Sequence, residues 1–189
     1  MNRGCYLGKR VLLIGASKKV LNRLTLALNK SGFVTTSSQS YNQPEQIFSE
    51  FTATDFDVIA LGRGVSNTHK EMIITAFSVQ NPAIAVVKGL APITELLVDQ
   101  VKLACLPAIF SLEEAQVDSD SIRVTIPTAC QLKVTLYYLN WLYLSYRKIL
   151  QDTYTGAGIV NIPLSRHTGF ISISQDGVIT HVIQLTTKR

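Results

Sequence analysis

The stretch Asp55-Phe56-Asp57-Val58-Ile59-Ala60-Leu61-Gly62-Arg63-Gly64-Val65 constrains the fold more than any other part of the chain. Its apolar run, Val58 to Leu61, stops abruptly at Gly62, and Gly64 follows. A short run without polar alternation is the pattern of a strand buried on both faces, as in a parallel sheet. Such strands end at the carboxyl edge of an α/β sheet, where ligands and chemistry usually sit. Here that edge carries glycine in place of a carboxylate, imidazole or thiol.

The same pattern recurs upstream and downstream. Val11-Leu12-Leu13-Ile14 is a buried strand, and Gly15-Ala16-Ser17 turns it into a helix with Ser17 as N-cap. Val20, Leu21, Leu24, Ala27 and Leu28 form one apolar helical face, closed at Ser31-Gly32. Phe33 to Thr36 predicts a second strand, and Pro44 opens a helix over about 45–50. A third helix is expected over about 68–79, a fourth strand over Ala83 to Val87, and a fourth helix from Ile93 to near Leu106-Pro107. Residues 9–106 thus read β-α-β-α-β-α-β-α, which implies a parallel sheet with helices on both faces.

In this element order, and in the segments Val11 to Ala16 and Phe56 to Gly62, the first half resembles the receiver domain of bacterial response regulators, a flavodoxin-like fold. The resemblance implies a signalling module. Receivers hold Mg²⁺ with an acidic pair just after strand one and carry the phosphorylated aspartate at the end of strand three. This chain has Gly15, Ala16 and Gly62 at those places. Mg²⁺ requires hard oxygen ligands, and Asp55 and Asp57 precede the buried run, at the strand's other end. The resemblance therefore implies a degenerate receiver, incapable of phosphorylation and acting through protein contacts. No role is carried over to Lys88, whose register against the family's lysine stays open between two positions.

The second half reads differently. Leu112 to Ser121 is an acidic connector, so a boundary is placed over 107–121 between a first domain (1–106) and a C-terminal part (122–189). Ile122 to Ile126 is a strand. Leu132, Leu136, Leu139, Tyr143 and Tyr146 suggest a long helix over about 129–151, with Tyr137, Tyr138 and Trp141 adding apolar surface around it. Gly158 to Pro163 is a short strand, and Gln175-Asp176-Gly177 joins the strands of a hairpin. The expected fold class is α/β: a receiver-like parallel sheet, then a long helix and a small antiparallel β-element.

With 47% hydrophobic residues, 189 residues suffice for a real core. The charged fraction of 16% is low against about 25% for a typical domain. Part of the surface is therefore expected to be hidden in an oligomer. The net charge of +5 is uneven: Arg3, Lys9, Arg10, Lys18, Lys19, Arg23 and Lys30 precede the first acid. A DNA-binding pole would need a helix-turn-helix signal, and a single-strand binder interleaved aromatics, so nucleic acid is not the expected partner. Cys5, Cys105 and Cys130 are distant and odd in number, which fits a reducing, cytoplasmic setting. The uncharged run Val134 to Tyr146 has 13 residues, short of a membrane span.

Chemistry is sparse. His69, His167 and His181 are scattered, without metal-ligand spacing. There is no nucleophile elbow, no P-loop and no dinucleotide fingerprint. Two surfaces are candidates. The first is the edge formed by Gly15, Ala16, Ser17, Lys18, Lys19, Gly62, Gly64 and Lys88, shaping a partner-contact surface or, alternatively, a small-molecule or nucleotide site at the Gly15–Lys19 turn. The second is the aromatic group Tyr137, Tyr138, Trp141, Tyr143 and Tyr146, expected at a homodimer interface. The expectation is a non-enzymatic regulatory protein, with no catalytic residue, cofactor or metal.

Overall fold

The computed structural model describes residues 6–89, 91–106, 115–118, 120–142, 144–164 and 168–185. The chain divides between Cys105 and Leu106 into two units, each with its own core.

The first unit runs β1 (Arg10–Ile14), α1 (Lys18–Lys30), β2 (Val34–Ser38), α2 (Pro44–Glu50), a single 3-10 turn at Ala53–Asp55, β3 (Val58–Leu61), α3 (Asn67–Gln80), β4 (Ala85–Lys88) and α4 (Thr94–Ala104). The four strands are parallel, in the order β2-β1-β3-β4. Side-chain alternation splits each central strand between two cores. Val11, Leu13, Val58 and Ala60 pack with Leu21 and Leu28 of α1 and with Leu97 and Val101 of α4. Leu12, Ile14, Ile59 and Leu61 pack on the opposite face with Ile47 of α2 and with Ile73 and Phe77 of α3. Ser17 caps α1 by accepting from the Val20 amide, and Ser66 caps α3 by accepting from the His69 amide.

The amino ends of β1 and β3 are tied by Asp57. Its carboxylate accepts from Lys9 Nζ at 2.8 Å and from the Arg10 amide at 2.7 Å. Burial pulls the Asp57 carboxyl upward, but the Lys9 hydrogen bond, the Arg10 amide and both positive charges outweigh it and hold the group below its ordinary value.

The second unit is all β: β5 (Ala115–Val117), β6 (Ser121–Ile126), β7 (Cys130–Leu139), β8 (Ser145–Thr155), β9 (Gly158–Pro163), β10 (Gly169–Gln175) and β11 (Val178–Leu185). One antiparallel sheet has the order β5-β6-β9 and the other β11-β10-β7-β8. Ile122, Val124 and Ile126 of β6, Leu132, Val134 and Leu136 of β7, Ile162 of β9 and Ile171 and Ile173 of β10 bury one common core. The β10–β11 turn uses Asp176 and Gly177, both at positive φ, the backbone twist that suits a tight hairpin.

This architecture overturns the expected fold class. The described residues form four α-helices and eleven strands, and two antiparallel sheets make up the second unit. No long helix spans 129–151; those residues are the β7–β8 hairpin. The physical reason lies in Cys130-Gln131-Leu132-Lys133-Val134-Thr135-Leu136. Its apolar residues recur every second position, and Cys130, Leu132, Val134 and Leu136 are all buried in the shared core. The leucines at i and i+4 satisfy both periods, and the intervening Val134, which belongs to the strand pattern alone, decides. Asn140 then breaks the run: its side-chain oxygen accepts from the Leu142 and Leu144 amides at 2.9 and 2.8 Å. Ile122–Ile126 lies within β6, between β5 and β9, and does not extend the parallel sheet.

Candidate functional site: a crevice floored by glycine

At the carboxyl edge of the parallel sheet, three strands end on glycine. Ile14, Leu61 and Lys88 stand abreast in register, so the next residues, Gly15, Gly62 and Gly89, form a row across β1, β3 and β4. The ladder continues through them: the Gly62 amide donates to Ile14 O at 2.8 Å and the Gly89 amide to Leu61 O at 3.0 Å. A Cβ on Gly62 would stand 3.3 Å from Ile14 O, and one on Gly64 would stand 3.1 Å from the Ala16 Cβ. Glycine lets the β1–α1 and β3–α3 loops approach this closely.

These loops leave in opposite directions. The first leads to α1 on one face of the sheet and the second to α3 on the other, with β2 and β4 on opposite sides of the β1–β3 pair. That is a topological switch point, where open α/β sheets place their ligands. A cavity of about 200 Å³ lies there. The glycine row and Ala16 and Ser17 form one side, Leu21, Leu24 and Leu97 the apolar wall, and Arg23 and Arg63 the cationic part of the lining. Both arginines are exposed. The amino ends of α1, at Ser17, and α4, at Ile93 and Thr94, both reach the cavity. The positive dipole end of α1, with no acid in its first turn, favours an anion, whereas Glu95 in the first turn of α4 offsets that helix's end. Among the described lining residues there is no carboxylate, imidazole or thiol. The arrangement can bind a small apolar body with a negative end; the described lining offers no acid–base pair.

The structure brings only part of the sequence-derived edge together. Gly15, Ala16, Ser17, Gly62 and Gly64 line the cavity. Lys18 and Lys19 open α1 with exposed side chains outside the lining. Lys88 turns away: its ammonium pairs with Glu71 of α3 at 2.9 Å. Gly89, Arg23, Arg63 and Thr94 were not foreseen. A signal for Gly89 was present, because Leu13-Ile14-Gly15, Ala60-Leu61-Gly62 and Val87-Lys88-Gly89 all end a strand run on glycine.

The aromatic group occupies a hairpin end, not a helix face. Tyr137 is buried in β7; Tyr138 and Tyr146 stack across β7 and β8 with centroids 5.5 Å apart; Trp141 stands 85% exposed at the turn. Tyr143 lies outside the described residues, as do His167 and Cys5. His69 starts α3 and His181 sits in β11 beside Thr180, and the described residues contain no cluster suited to a metal ion. Burial pushes the Cys105 thiol up to about 11. No helix among the described residues is long and apolar enough to cross a membrane.

No protein-family model matches the sequence, and comparison with curated proteins gives no match.

Proposed function

We propose that this chain is a non-enzymatic regulatory protein that takes a small anionic ligand in the glycine-floored crevice and works as a homodimer through protein contacts. The cavity at the switch point carries the reading. Its volume of about 200 Å³ leaves room for a small organic or inorganic anion. The resemblance of residues 9–106 to receivers supports a regulatory role. So does the position of Asp57, held by Lys9 and Arg10 at the end of β3 opposite the crevice, where it cannot accept a phosphoryl group at that edge.

The test is thermal melting of the purified protein against phosphate, small carboxylates, nucleotides, and Mg²⁺ with beryllofluoride. The expected result is a saturable rise in Tm with one class of small anion, reduced at least several-fold in Arg23→Ala/Arg63→Ala. Mg²⁺ with beryllofluoride is expected to add nothing. The absence of any shift across the panel would sink the ligand reading, and a saturable response to beryllofluoride would sink the phosphorylation-incompetent one.

A further inference from the structure

The crevice is graded from bottom to mouth. Leu13, Leu21, Ala60 and Leu97 line it as buried side chains, whereas Arg23 and Arg63 line it as exposed ones. The floor offers no free donor to the interior. The Gly15 amide donates to Ser38 O at 3.1 Å, the Gly62 amide to Ile14 O at 2.8 Å and the Gly89 amide to Leu61 O at 3.0 Å. A Cβ on Gly15 would stand 3.4 Å from Leu21 Cδ2, and one on Gly89 would stand 3.7 Å from Leu97 Cδ1. The apolar wall thus rises directly from the floor.

We propose that the crevice takes a short apolar monocarboxylate, its body inside and its carboxylate at the mouth beside Arg23 and Arg63. The assignment rests on the small-anion reading above and names the chemical class of that ligand. Phosphate sites cradle their anion in converging backbone N–H groups, and here the three floor amides are already committed to the sheet. A multiply charged ion seated deep would exchange water for leucine, and no buried side chain of the described lining is polar enough to replace its hydration. A dicarboxylate would place its second charge among the same leucines. An amino acid would bring an ammonium group, and the described lining has no carboxylate to receive it.

A single carboxylate at the mouth meets none of these difficulties. Guanidinium groups bind carboxylates through paired, charge-assisted hydrogen bonds. Arg23 reaches the mouth from α1 and Arg63 from the β3–α3 loop. The apolar body then displaces water from Leu21, Leu24 and Leu97. An apolar cavity of about 150 Å³ admits a benzene-sized body, so one of about 200 Å³ admits a chain or ring of about six carbons.

Amide NMR titrations of the full chain at constant ionic strength test this, with acetate, butyrate, hexanoate, octanoate, hexanamide and inorganic phosphate as probes. Affinity is expected to rise about three- to fourfold per methylene from acetate to hexanoate. Hexanamide, the neutral isostere, is expected to bind several-fold more weakly than hexanoate, and phosphate more weakly still. Arg23→Ala/Arg63→Ala should erase the preference for hexanoate over hexanamide while hexanamide still binds. Ala91→Phe, which fills the cavity from the β4–α4 loop, should abolish binding of both, and Leu24→Ala, which widens it, should favour octanoate over hexanoate. Phosphate or acetate binding as tightly as hexanoate overturns the apolar body and leaves the small-anion reading standing. Equal binding of hexanoate and hexanamide overturns the carboxylate assignment. Hexanoate binding untouched by Ala91→Phe overturns the location. No saturable shift with any of the acids overturns the proposal, and silence across the wider anion panel overturns the small-anion reading with it.

Discussion

Asp57 shows how one side chain can fix a sheet's end without reaching its functional edge. Its carboxylate joins Lys9 and the Arg10 amide, and Lys9 in turn is raised above its ordinary value mainly by the hydrogen bond to Asp57. A carboxyl depressed in the folded state contributes stability that is fully present above its unfolded value, near 3.8, and is lost as pH falls through the lower folded value. The raised Lys9 contributes below 10.5, and that contribution is lost as pH rises through its higher folded value. Asp57→Asn is therefore expected to cost about 1 kcal/mol at neutral pH, both partners being partly solvated. That difference should shrink toward zero in strong acid, and urea unfolding of both proteins across the acid range would show it. Cys105 gives a second expectation at this scale. With its thiol pushed up to about 11 by burial, it should resist alkylation in the native protein at neutral pH and react on unfolding, as peptide mapping by mass spectrometry would reveal.

The hairpin of β7 and β8 is the element whose character the sequence conceals. Helical and extended periods coincide at Leu132 and Leu136, so spacing of the largest side chains alone favours a helix. The buried Val134 and the half-exposed Lys133 between them carry the opposite message. Lys133 also anchors the pairing by its bond to Asp152, whose carboxyl is held below its ordinary value by Lys133 and Gln131. Parallel strands were easier to read, because Val11 to Ile14 and Val58 to Leu61 are unbroken apolar runs with glycine stops. Asn140 is the hinge of the hairpin through its two accepted amide bonds. Asn140→Ala should cost about 1–2 kcal/mol and should speed amide exchange at Leu142 and Leu144, in the turn, ahead of β7 and β8. Unchanged exchange there would mean that the turn is held by its strands alone.

Across the whole molecule, separate cores predict separate responses to damage. Phe77 is fully buried between β-strands and α2–α3 in the first unit, and Leu132 is fully buried between the two sheets of the second. Phe77→Ala is expected to cost about 3–5 kcal/mol and Leu132→Ala about 2–5 kcal/mol. Calorimetry should show each change displacing its own transition; a single transition displaced by both would show that the units unfold as one. The candidate site was legible only in outline at this scale. Gly15, Ser17 and Gly62 belong to sequence runs that announce a strand edge, whereas Arg23 and Thr94 reach the cavity from helices distant in sequence, and only the strand order brings them there. The bulge at Leu150 in β8 was even less legible, since no periodicity marks it.

The glycine row also bears on how such a protein could change over generations. Gly15, Gly62 and Gly89 present main chain to the crevice, and main chain is the one part of a residue that mutation leaves alike. Their amides already donate to the neighbouring strands, so substitution there can obstruct the floor but cannot change the ladder that builds it. Variation in what the crevice admits is therefore left to the side chains around it, Arg23, Arg63 and Thr94 among them, while the floor stays constant.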